Sequence, residues 1–413
     1  MTEERDVVIV GGGPAGTTAA IALAGIAPAL AARTVIVEKG VYPREKYCAG
    51  ALGARGEKIL AKFSAVPDVP SVVIDGISLR ANGGETSAGA SAIGRVVRRI
   101  EFDYALAKIA AARGVEVRDG TRVDSVTVAE GGAFVQTSRG AIRARIVVGA
   151  DGVGSVVRRA MGLSAGALRA QVLEVDTQPV AGDRDRRILH FDAEDRRLAG
   201  YAWDFPTLVA GEALVCRGMY KLKVDSDARE GAHSATLEGL FAERLERMGL
   251  TLKDYRIKRY AERGFDPGER VAVGPMMLVG EAAGIDPVTG EGIAQAIEFG
   301  AMAGEFLARR LNDANFEGPA FGWDAIVRAS RLGRDLRIRR RFVRLFYGEM
   351  RPEIEHFLLE SPDTLYVGSQ HFADEPYDWM RLGHVLARGA ARLTAHHVSR
   401  ILRSPSGERE ALR

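Results

Sequence analysis

The N-terminal stretch constrains the fold more than any other part of the chain. Its residues Asp6–Val10 form an apolar, β-branched run, which predicts a buried parallel strand. The run ends in glycines at positions 11, 13 and 16 and continues into Thr17–Ala27, an Ala-rich segment that predicts a helix. Glycines in such a turn allow a tight bend, the approach of a pyrophosphate and close packing of the helix. The N–H groups at the helix start then face the phosphates.

The next predicted strand supports a dinucleotide site. Thr34–Val37 ends in Glu38, which lies 22 residues after Gly16. This spacing is typical of an acidic residue that accepts hydrogen bonds from a ribose. Pro28 should stop or kink the preceding helix, so we expect an irregular link to this strand.

Composition limits the protein class. The chain has 413 residues, of which 46% are hydrophobic and 27% charged, as in soluble proteins of two or three domains. A net charge of +3 argues against nucleic acid as the main partner. Cys48 and Cys216 are far apart, which predicts neither a disulfide framework nor a zinc site. The polar N-terminus does not resemble a signal peptide, and no segment predicts a membrane span, so we expect a cytoplasmic protein. The sequence does not decide whether the protein contacts a membrane surface, and it does not predict the oligomeric state.

Later segments predict further elements. A helix is expected to begin at Val96 and to end at Ala112, and alternation within 168–260 predicts an antiparallel sheet. Val271–Val279 is expected to be one buried strand. From Ala294 onward the composition is helical and arginine-rich. We expect the arginines of 334–344 to form a solvated helix face, although they could also bind a diphosphate or an acidic partner.

Two small-residue motifs follow predicted strands. Asp151 and Gly152 lie where a strand enters a helix, so Asp151 either caps that helix or contacts a cofactor. The second motif, 280–293, contains Pro287 and several glycines before a helix. Its backbone N–H groups could hold a ribityl–phosphate chain or a flavin carbonyl that gains negative charge on reduction.

These motifs, in this order, resemble those of the flavoprotein monooxygenase superfamily with a para-hydroxybenzoate-hydroxylase-like fold. Two further stretches are similar to motifs of the geranylgeranyl reductase family within it. Residues 43–50, PREKYCAG, resemble its PxxKxCxG loop, and residues 200–206, GYAWDFP, resemble its YxWxFP motif.

The resemblance implies FAD as the cofactor and assigns residues to it. Glu38 is implied at the adenosine ribose, and Glu281 near the ribityl chain, where the family usually has Asp. The loop from Pro287 to Ile293 is implied at the isoalloxazine. Arg99 matches a family arginine near the flavin, with Arg98 as the alternative. The full set of implied cofactor-binding residues is Gly11, Gly13, Pro14, Ala15, Gly16, Glu38, Lys39, Arg99, Asp151, Gly152, Gly280, Glu281, Gly290, Gly292 and Ile293.

Candidate catalytic residues are Cys48 and Pro287. The resemblance implies that Cys48 is a redox or proton-donating thiol beside the flavin. The alternative is that Cys48 is a small, buried apolar residue without a chemical role. Pro287 lies in the implied flavin loop.

Tyr201, Trp203 and Phe205 are the candidate substrate-binding residues. Strand periodicity places all three on one face and Ala202 and Asp204 on the other. An aromatic wall of this kind suits a flat or polyprenyl substrate, while ordinary core packing is the alternative.

Two enzymatic functions follow. The family resemblance favours reduction of C=C bonds in an isoprenoid or related apolar substrate through reduced flavin. The alternative is a monooxygenase that hydroxylates an aromatic substrate, either a small molecule or a Trp side chain of a partner polypeptide, through a flavin C4a-hydroperoxide. No second GxGxxG follows a strand, so NAD(P)H or a reduced electron carrier is expected to be a transient donor. A non-enzymatic flavin-binding protein has no positive support.

The expected fold class is α/β, with a Rossmann-like FAD-binding domain, an antiparallel-sheet substrate domain and a helical C-terminal region. Residues 1–72, 95–165 and 262–310 are expected to form the FAD-binding domain. Residues 73–94 and 166–261 are expected to form the sheet domain, and 311–413 the helical region.

Overall fold

A computed structural model describes residues 2–224, 236–311, 320–348 and 350–403. Within these ranges, the structure describes the side chains of all residues but 224, 320, 321, 393 and 395–403. The described residues form two sheets and a set of helices around them. The strands are β1 Glu3–Val10, β2 Thr34–Val37, β3 Ala51–Gly53, β4 Ser71–Ala81, β5 Gly84–Val97, β6 Glu116–Arg118, β7 Val123–Ala129, β8 Gly132–Thr137, β9 Gly140–Gly149, β10 Leu168–Thr177, β11 Ile188–Asp192, β12 Gly200–Val209, β13 Glu212–Val224, β14 Lys258–Arg263, β15 Ala272–Val273 and β16 Met276–Leu278.

The α-helices follow the same chain order. They are α1 Pro14–Ile26, α2 Pro28–Ala31, α3 Ala54–Ala61, α4 Arg99–Ala112, α5 Val156–Ala160, α6 Leu237–Arg247, α7 Ile293–Arg310, α8 Ala320–Ala329, α9 Arg331–Tyr347, α10 Arg351–Glu360, α11 Pro362–Ala373 and α12 Trp379–Arg403. None of the helices in the described ranges is both long and apolar enough to cross a membrane.

The first sheet carries the glycine turn. Its strand order is β15-β16-β9-β1-β2-β6, and β8 extends it from β9 with β7 outside. β1 pairs in parallel with β2 and β9, and its residues Asp6–Val10 are buried, as expected for a strand inside a parallel sheet. Helix α7 lies against α1, and the missing side chains of Gly300 and Gly304 permit this approach. A Cβ on these glycines would lie 2.3 and 2.4 Å from carbonyl oxygens of α1.

The second sheet has the order β14-β10-β13-β12-β11-β4-β5-β3. Its pairs are antiparallel except for β4 and β11, which are parallel. One face packs on α6 through a cluster that includes Ala202, Met219 and Phe241. The opposite face carries Trp203 and Phe205 and packs toward the C-terminal helices. The mixed α/β architecture with a helical C-terminal region confirms the predicted fold class.

Three local predictions were wrong. The helix expected from Val96 begins only at Arg99, because Val96 and Val97 end β5. Strand β5 itself was missed, because its Gly-, Ala- and Ser-rich sequence has low strand propensity and its pairing with β4 stabilises it. Val271–Val279 forms two short strands, β15 and β16, which pair antiparallel around the turn at Gly274.

The link after α1 is irregular, as Pro28 predicts. Helix α1 ends at Ile26, and Pro28 begins the four-residue helix α2 before β2. At the other boundary, β3 lies within the segment expected in the FAD-binding domain but pairs with β5 in the second sheet. The proposed division into domains therefore needs an exception at Ala51–Gly53.

Candidate active site

A cavity of about 920 Å³ lies between the two sheets and the C-terminal helices. It extends from the glycine turn after β1 to side chains of α10 and α11. Most of the residues singled out from the sequence contribute to its wall. These are Gly11, Gly13, Pro14, Ala15, Glu38, Lys39, Cys48, Arg99, Asp151, Gly152, Tyr201, Trp203, Phe205, Glu281, Gly290, Gly292 and Ile293.

The glycine turn forms an open cradle at one end of this cavity. Gly11 has a φ of +104°, and a Cβ there would lie 2.4 Å from the Ala150 carbonyl oxygen. A Cβ on Gly16 would lie 2.0 Å from the Gly11 carbonyl oxygen, so Gly16 allows the helix to pack closely on the turn. The exposed turn and the start of α1 are suited to phosphate groups.

Glu38 lies beside the turn and already accepts three hydrogen bonds. Its Oε2 accepts the Gly12 N–H at 2.9 Å, and its Oε1 accepts the Gly40 N–H at 2.9 Å. Arg44 also donates to Oε2 at 3.0 Å and reaches Asp103 at 3.1 Å. These contacts fix the carboxylate at the end of β2, where a ribose hydroxyl can still donate to it.

Asp151 combines the two roles left open by the sequence. Its Oδ2 accepts the Val156 N–H at 2.6 Å at the start of α5, while Oδ1 is buried and has no hydrogen-bond partner among the described residues. Burial raises the pKa of the Asp151 carboxyl. Glu281 lies nearby, 3.5 Å from a Cβ position on Gly152, and its Oε1 also has no partner within the described part of the chain. Asp151 and Glu281, which both line the cavity, therefore each have a carboxyl oxygen that is free to accept a hydrogen bond, which suits the hydroxyls of a ribityl chain.

The segment from Asp286 to Ile293, here called the flavin loop, is held from both sides. From the sheet, the Tyr220 hydroxyl donates to the Pro287 carbonyl oxygen at 3.0 Å, and the Tyr201 hydroxyl donates to that of Thr289. From α9, Arg339 donates to the Asp286 carboxylate. The loop is thus positioned by side chains rather than by regular backbone pairing.

Three predicted site residues lie outside the cavity wall. Gly16 and Gly280 permit close packing, since a Cβ on Gly280 would lie 2.8 Å from Ala15 Cβ. Pro287 is buried, and its Cβ lies 2.7 Å from a Cβ position on Gly264. Pro287 therefore packs against Gly264 on the side of the flavin loop that faces away from the cavity wall. This position does not support the catalytic role predicted for it.

Arg99, rather than the alternative Arg98, faces the cavity. Its guanidinium pairs with Asp103 at 2.6 and 2.8 Å and lies 3.6 Å from a Cβ position on Gly13. Arg98 instead pairs with Asp176 on β10. Cys48 is close enough to Arg99 to interact with it electrostatically, but burial raises the pKa of the Cys48 thiol. The neutral thiol is therefore a possible proton donor and a poor nucleophile.

The three predicted aromatic residues form one continuous wall. Ring centroids of Tyr201 and Trp203 lie 6.1 Å apart, and those of Trp203 and Phe205 also 6.1 Å apart. Tyr220 from β13 stacks on Tyr201 at 5.2 Å. Asp204 points to the opposite face, where it pairs with Arg217. The alternation of β12 thus places the wall in the cavity, while substrate contact stays a prediction.

Several cavity residues were missed in the sequence. Tyr260 and Glu262 lie in a segment without a recognisable motif, and Arg44 occupies a position that the PxxKxCxG motif leaves unspecified. All three residues line the cavity through tertiary packing. Tyr260 donates a hydrogen bond to Glu174 at 2.9 Å, and the Cys48 N–H donates to the other oxygen of Glu174 at 3.2 Å. Period-two alternation along β14 was the only signal that could have pointed to Tyr260 and Glu262.

The residues present fit FAD. The glycine cradle suits the pyrophosphate, Glu38 suits the adenosine ribose, and the unsatisfied oxygens of Asp151 and Glu281 suit hydroxyl donors. A model of the FAD binding domain family matches residues 93–317, which is more than half of the chain.

Archaeal relatives narrow the family further. The chain is 31% identical over 334 residues to digeranylgeranylglycerophospholipid reductase of Methanothrix thermoacetophila, covering 76% of this chain and 80% of the relative. The enzyme of the same name, numbered 1, from Methanopyrus kandleri is 30% identical over 325 residues, with coverages of 75% and 82%.

Solved structures share the fold. A geranylgeranyl bacteriochlorophyll reductase-like protein from Thermoplasma acidophilum superposes with a TM-score of 0.65 at 22% identity, covering 94% of this chain and 96% of that one. The p-nitrophenol 4-monooxygenase of Pseudomonas putida gives a TM-score of 0.65 at 17% identity, with coverages of 91% and 98%. Because the relatives and the family model agree with the cradle, this chain belongs to the geranylgeranyl reductase family of para-hydroxybenzoate-hydroxylase-like, FAD-dependent oxidoreductases.

Proposed function

We propose that this oxidoreductase reduces carbon–carbon double bonds in an isoprenoid or a related apolar substrate. The observation that supports this most is the apolar end of the cavity. The second sheet contributes Trp203 and Phe205 there, and the C-terminal helices contribute Leu358, Leu365 and Phe372. Burial of a hydrocarbon chain in such a chamber is favourable by about 25 cal/mol per Å² of apolar surface.

The names of the archaeal relatives support the same substrate class. Digeranylgeranylglycerophospholipid reductases are named for a lipid with long prenyl chains. A lipid substrate would also bring this protein to a membrane surface from the cytoplasm, as a peripheral contact.

Within this proposal, the residues of the chain have separate tasks. Glu38 and the glycine turn hold the adenosine diphosphate part of FAD, and Asp151 and Glu281 hold its ribityl chain. When bound and reduced, FAD supplies the hydride. The aromatic wall orients the alkene and keeps water away. A proton must come from an acid in the chamber, and Cys48 is one candidate.

We also propose that the reducing equivalents arrive from NAD(P)H or from a reduced electron carrier that binds transiently. This part rests on the sequence, in which no second GxGxxG follows a predicted strand.

A second candidate function is hydroxylation of an aromatic substrate. The stacked rings of Tyr201 and Tyr220, with an interplanar angle of 15°, offer a flat surface for an aromatic ring. Such a substrate could be a small molecule or a Trp side chain of a partner polypeptide.

A product assay separates the two functions. FAD-loaded protein, reduced with dithionite under anaerobic conditions, is given a geranylgeranyl ether lipid, and products are identified by mass spectrometry. We expect a gain of two hydrogens for each saturated double bond. No saturated product from this lipid or from shorter prenyl alkenes, together with a hydroxylated product from aromatic compounds in air, would overturn the proposal.

A further inference from the structure

Glu262 places a carboxyl group at the cavity, and no sequence motif accounts for it. It lies on β14, at the edge of the second sheet, and lines the cavity. Its Oε2 is buried, and no hydrogen-bond partner for it exists among the residues that the structure describes. A Cβ position on Gly290 lies 2.8 Å from this oxygen and 3.4 Å from the Tyr201 hydroxyl. The carboxyl therefore lies between the flavin loop and the aromatic wall.

The surroundings of Glu262 favour its neutral form. Burial, followed by the charge of Glu281, raises its pKa well above the ordinary value, and Lys46 opposes this. The Lys46 ammonium lies over the Tyr260 ring at 5.5 Å, so it is already engaged there. Within the described part of the chain, the ionisable groups that interact electrostatically with Glu262 include Lys46, Cys48, Glu174, Tyr201, Tyr220, Tyr260, Glu281 and Asp286.

The other buried carboxyls of the cavity are less suited to proton transfer. Asp151 accepts helix N–H groups. One oxygen of Glu291 accepts a weak hydrogen bond from Gln295 at 3.4 Å, and its other oxygen has no partner among the described residues. The charges of Arg339 and Arg55, however, oppose the rise that burial causes in the pKa of Glu291. Glu281 lies at Gly152, next to the glycine turn rather than beside the aromatic wall. Glu174 is held by Tyr260 and by the Cys48 backbone. Glu262 has an unpaired oxygen, judged among the described residues, that lies beside both the flavin loop at Gly290 and the Tyr201 hydroxyl of the aromatic wall.

We propose that Glu262 is the catalytic proton donor for the reduction of the double bond. This inference rests on the proposed function. One alkene carbon accepts the hydride of the reduced flavin, and the π electron pair forms a new C–H bond at the neighbouring carbon with the Glu262 proton. The O–H bond of the carboxyl breaks, and the carboxylate regains a proton from water. The flavin is oxidised by two electrons, which NAD(P)H or a reduced carrier replaces.

Cys48 is the competing donor, and its geometry is less favourable. Its Sγ accepts the Gly50 N–H at 3.4 Å, and its thiol has a raised pKa, so proton release from it is harder. The Glu262 carboxyl is the better general acid, because a thiol has the higher ordinary pKa and burial raises the pKa of Cys48 further.

The test compares wild type with E262Q, in which the amide keeps the shape but has no acidic proton. Both proteins are loaded with FAD, reduced anaerobically and mixed with a geranylgeranyl ether lipid. We expect flavin reoxidation by the lipid to slow by a factor of about 10²–10⁴ in E262Q. E262D, which retains an acid, should recover part of the rate. In wild type the rate of flavin reoxidation should fall as the pH rises through the pKa of Glu262. In E262Q the rate should not show this decrease.

An infrared measurement gives a readout that is independent of turnover. The difference spectrum of oxidised wild type minus E262Q at neutral pH should contain the carbonyl band of one protonated carboxyl. Bands from Asp151, Glu174 and Glu291, whose pKa values burial also raises, cancel in this difference. Absence of this band would overturn the assignment of Glu262 as the proton donor and leave the proposed function intact. The same conclusion would follow if E262Q kept the single-turnover rate of wild type and its dependence on pH. Failure of wild type to react with any prenyl alkene would instead overturn the proposed function, and the donor assignment with it.

Discussion

At the scale of single residues, Gly11 controls access of the cofactor to the first sheet. Its φ of +104° is unfavourable for residues with a side chain, and an added Cβ would press on the Ala150 carbonyl. We expect G11A to lower the free energy of unfolding by about 1–2 kcal/mol and to abolish FAD retention. Thermal denaturation and the visible absorbance of bound flavin measure the two effects.

Gly182 is the matched control for this change. It has no neighbouring atom within 4 Å of its Cβ position and no left-handed φ. G182A should retain FAD and lose no stability. Equal FAD loss in both variants would show that the effect of G11A is not specific to the cradle.

Gly218 positions the aromatic wall. A Cβ at this position would lie 2.1 Å from Cζ2 of Trp203, so G218A must displace the indole ring. We expect a loss of about 1–3 kcal/mol in unfolding free energy, as for other overpacked cores. In a W203F background the same change should cost less, because the smaller ring leaves room. Additive losses in the double mutant, measured by denaturant titration, would contradict this packing.

Residues differ in how far the sequence predicts them. The glycine turn and the alternation of Tyr201 and Trp203 follow from local spacing, so both could be anticipated. Glu262 enters the site only because β14 packs beside the flavin loop, and Arg44 occupies a position that the 43–50 motif leaves unspecified, so the sequence did not single out either residue. Their discovery requires the tertiary structure.

At the scale of elements, helix α9 holds the flavin loop. The Asp286 carboxylate, which is buried, accepts from Arg339 and from the Val288 N–H at 2.8 Å. R339M would leave this carboxylate without its cation, and we expect it to cost about 3–5 kcal/mol in unfolding free energy. It should also weaken FAD binding, because the loop loses one of its anchors. Denaturant titration and FAD titration measure these effects.

Arg341 on the same helix provides the control. Its side chain is exposed, so R341M should change stability by no more than about 0.5 kcal/mol. The sequence predicted a solvated face for this run of arginines, and Arg339 departs from it because its guanidinium turns inward to Asp286. If R339M and R341M behave alike, α9 does not anchor the loop.

At the scale of the whole molecule, His371 joins the C-terminal helices to the FAD-binding part. Arg55 on α3 donates to His371 Nε2 at 3.2 Å, so the ring proton lies on Nδ1, which contacts the Tyr377 hydroxyl at 2.8 Å. Burial, together with Arg339, Arg55 and Arg331, lowers the pKa of His371 to about 2. The neutral ring is therefore part of the folded state.

The stability of this junction should depend on pH. Below about pH 6.5 the unfolded chain binds a proton at His371 that the folded chain does not, so acid favours unfolding. From about pH 7 to about pH 5, we expect wild type to lose about 2 kcal/mol more unfolding free energy than H371Q, whose amide does not titrate. Parallel pH profiles of the two proteins in denaturant titrations would contradict the low pKa.

The most direct measurement follows the flavin itself. FAD-loaded protein is reduced without oxygen and mixed in a stopped-flow instrument with a geranylgeranyl ether lipid or with its fully saturated counterpart. The account predicts rapid return of the oxidised flavin absorbance with the unsaturated lipid and none with the saturated one. A flavin that stays reduced with every prenyl alkene, yet reoxidises in air with hydroxylation of an aromatic compound, would contradict the reductase assignment.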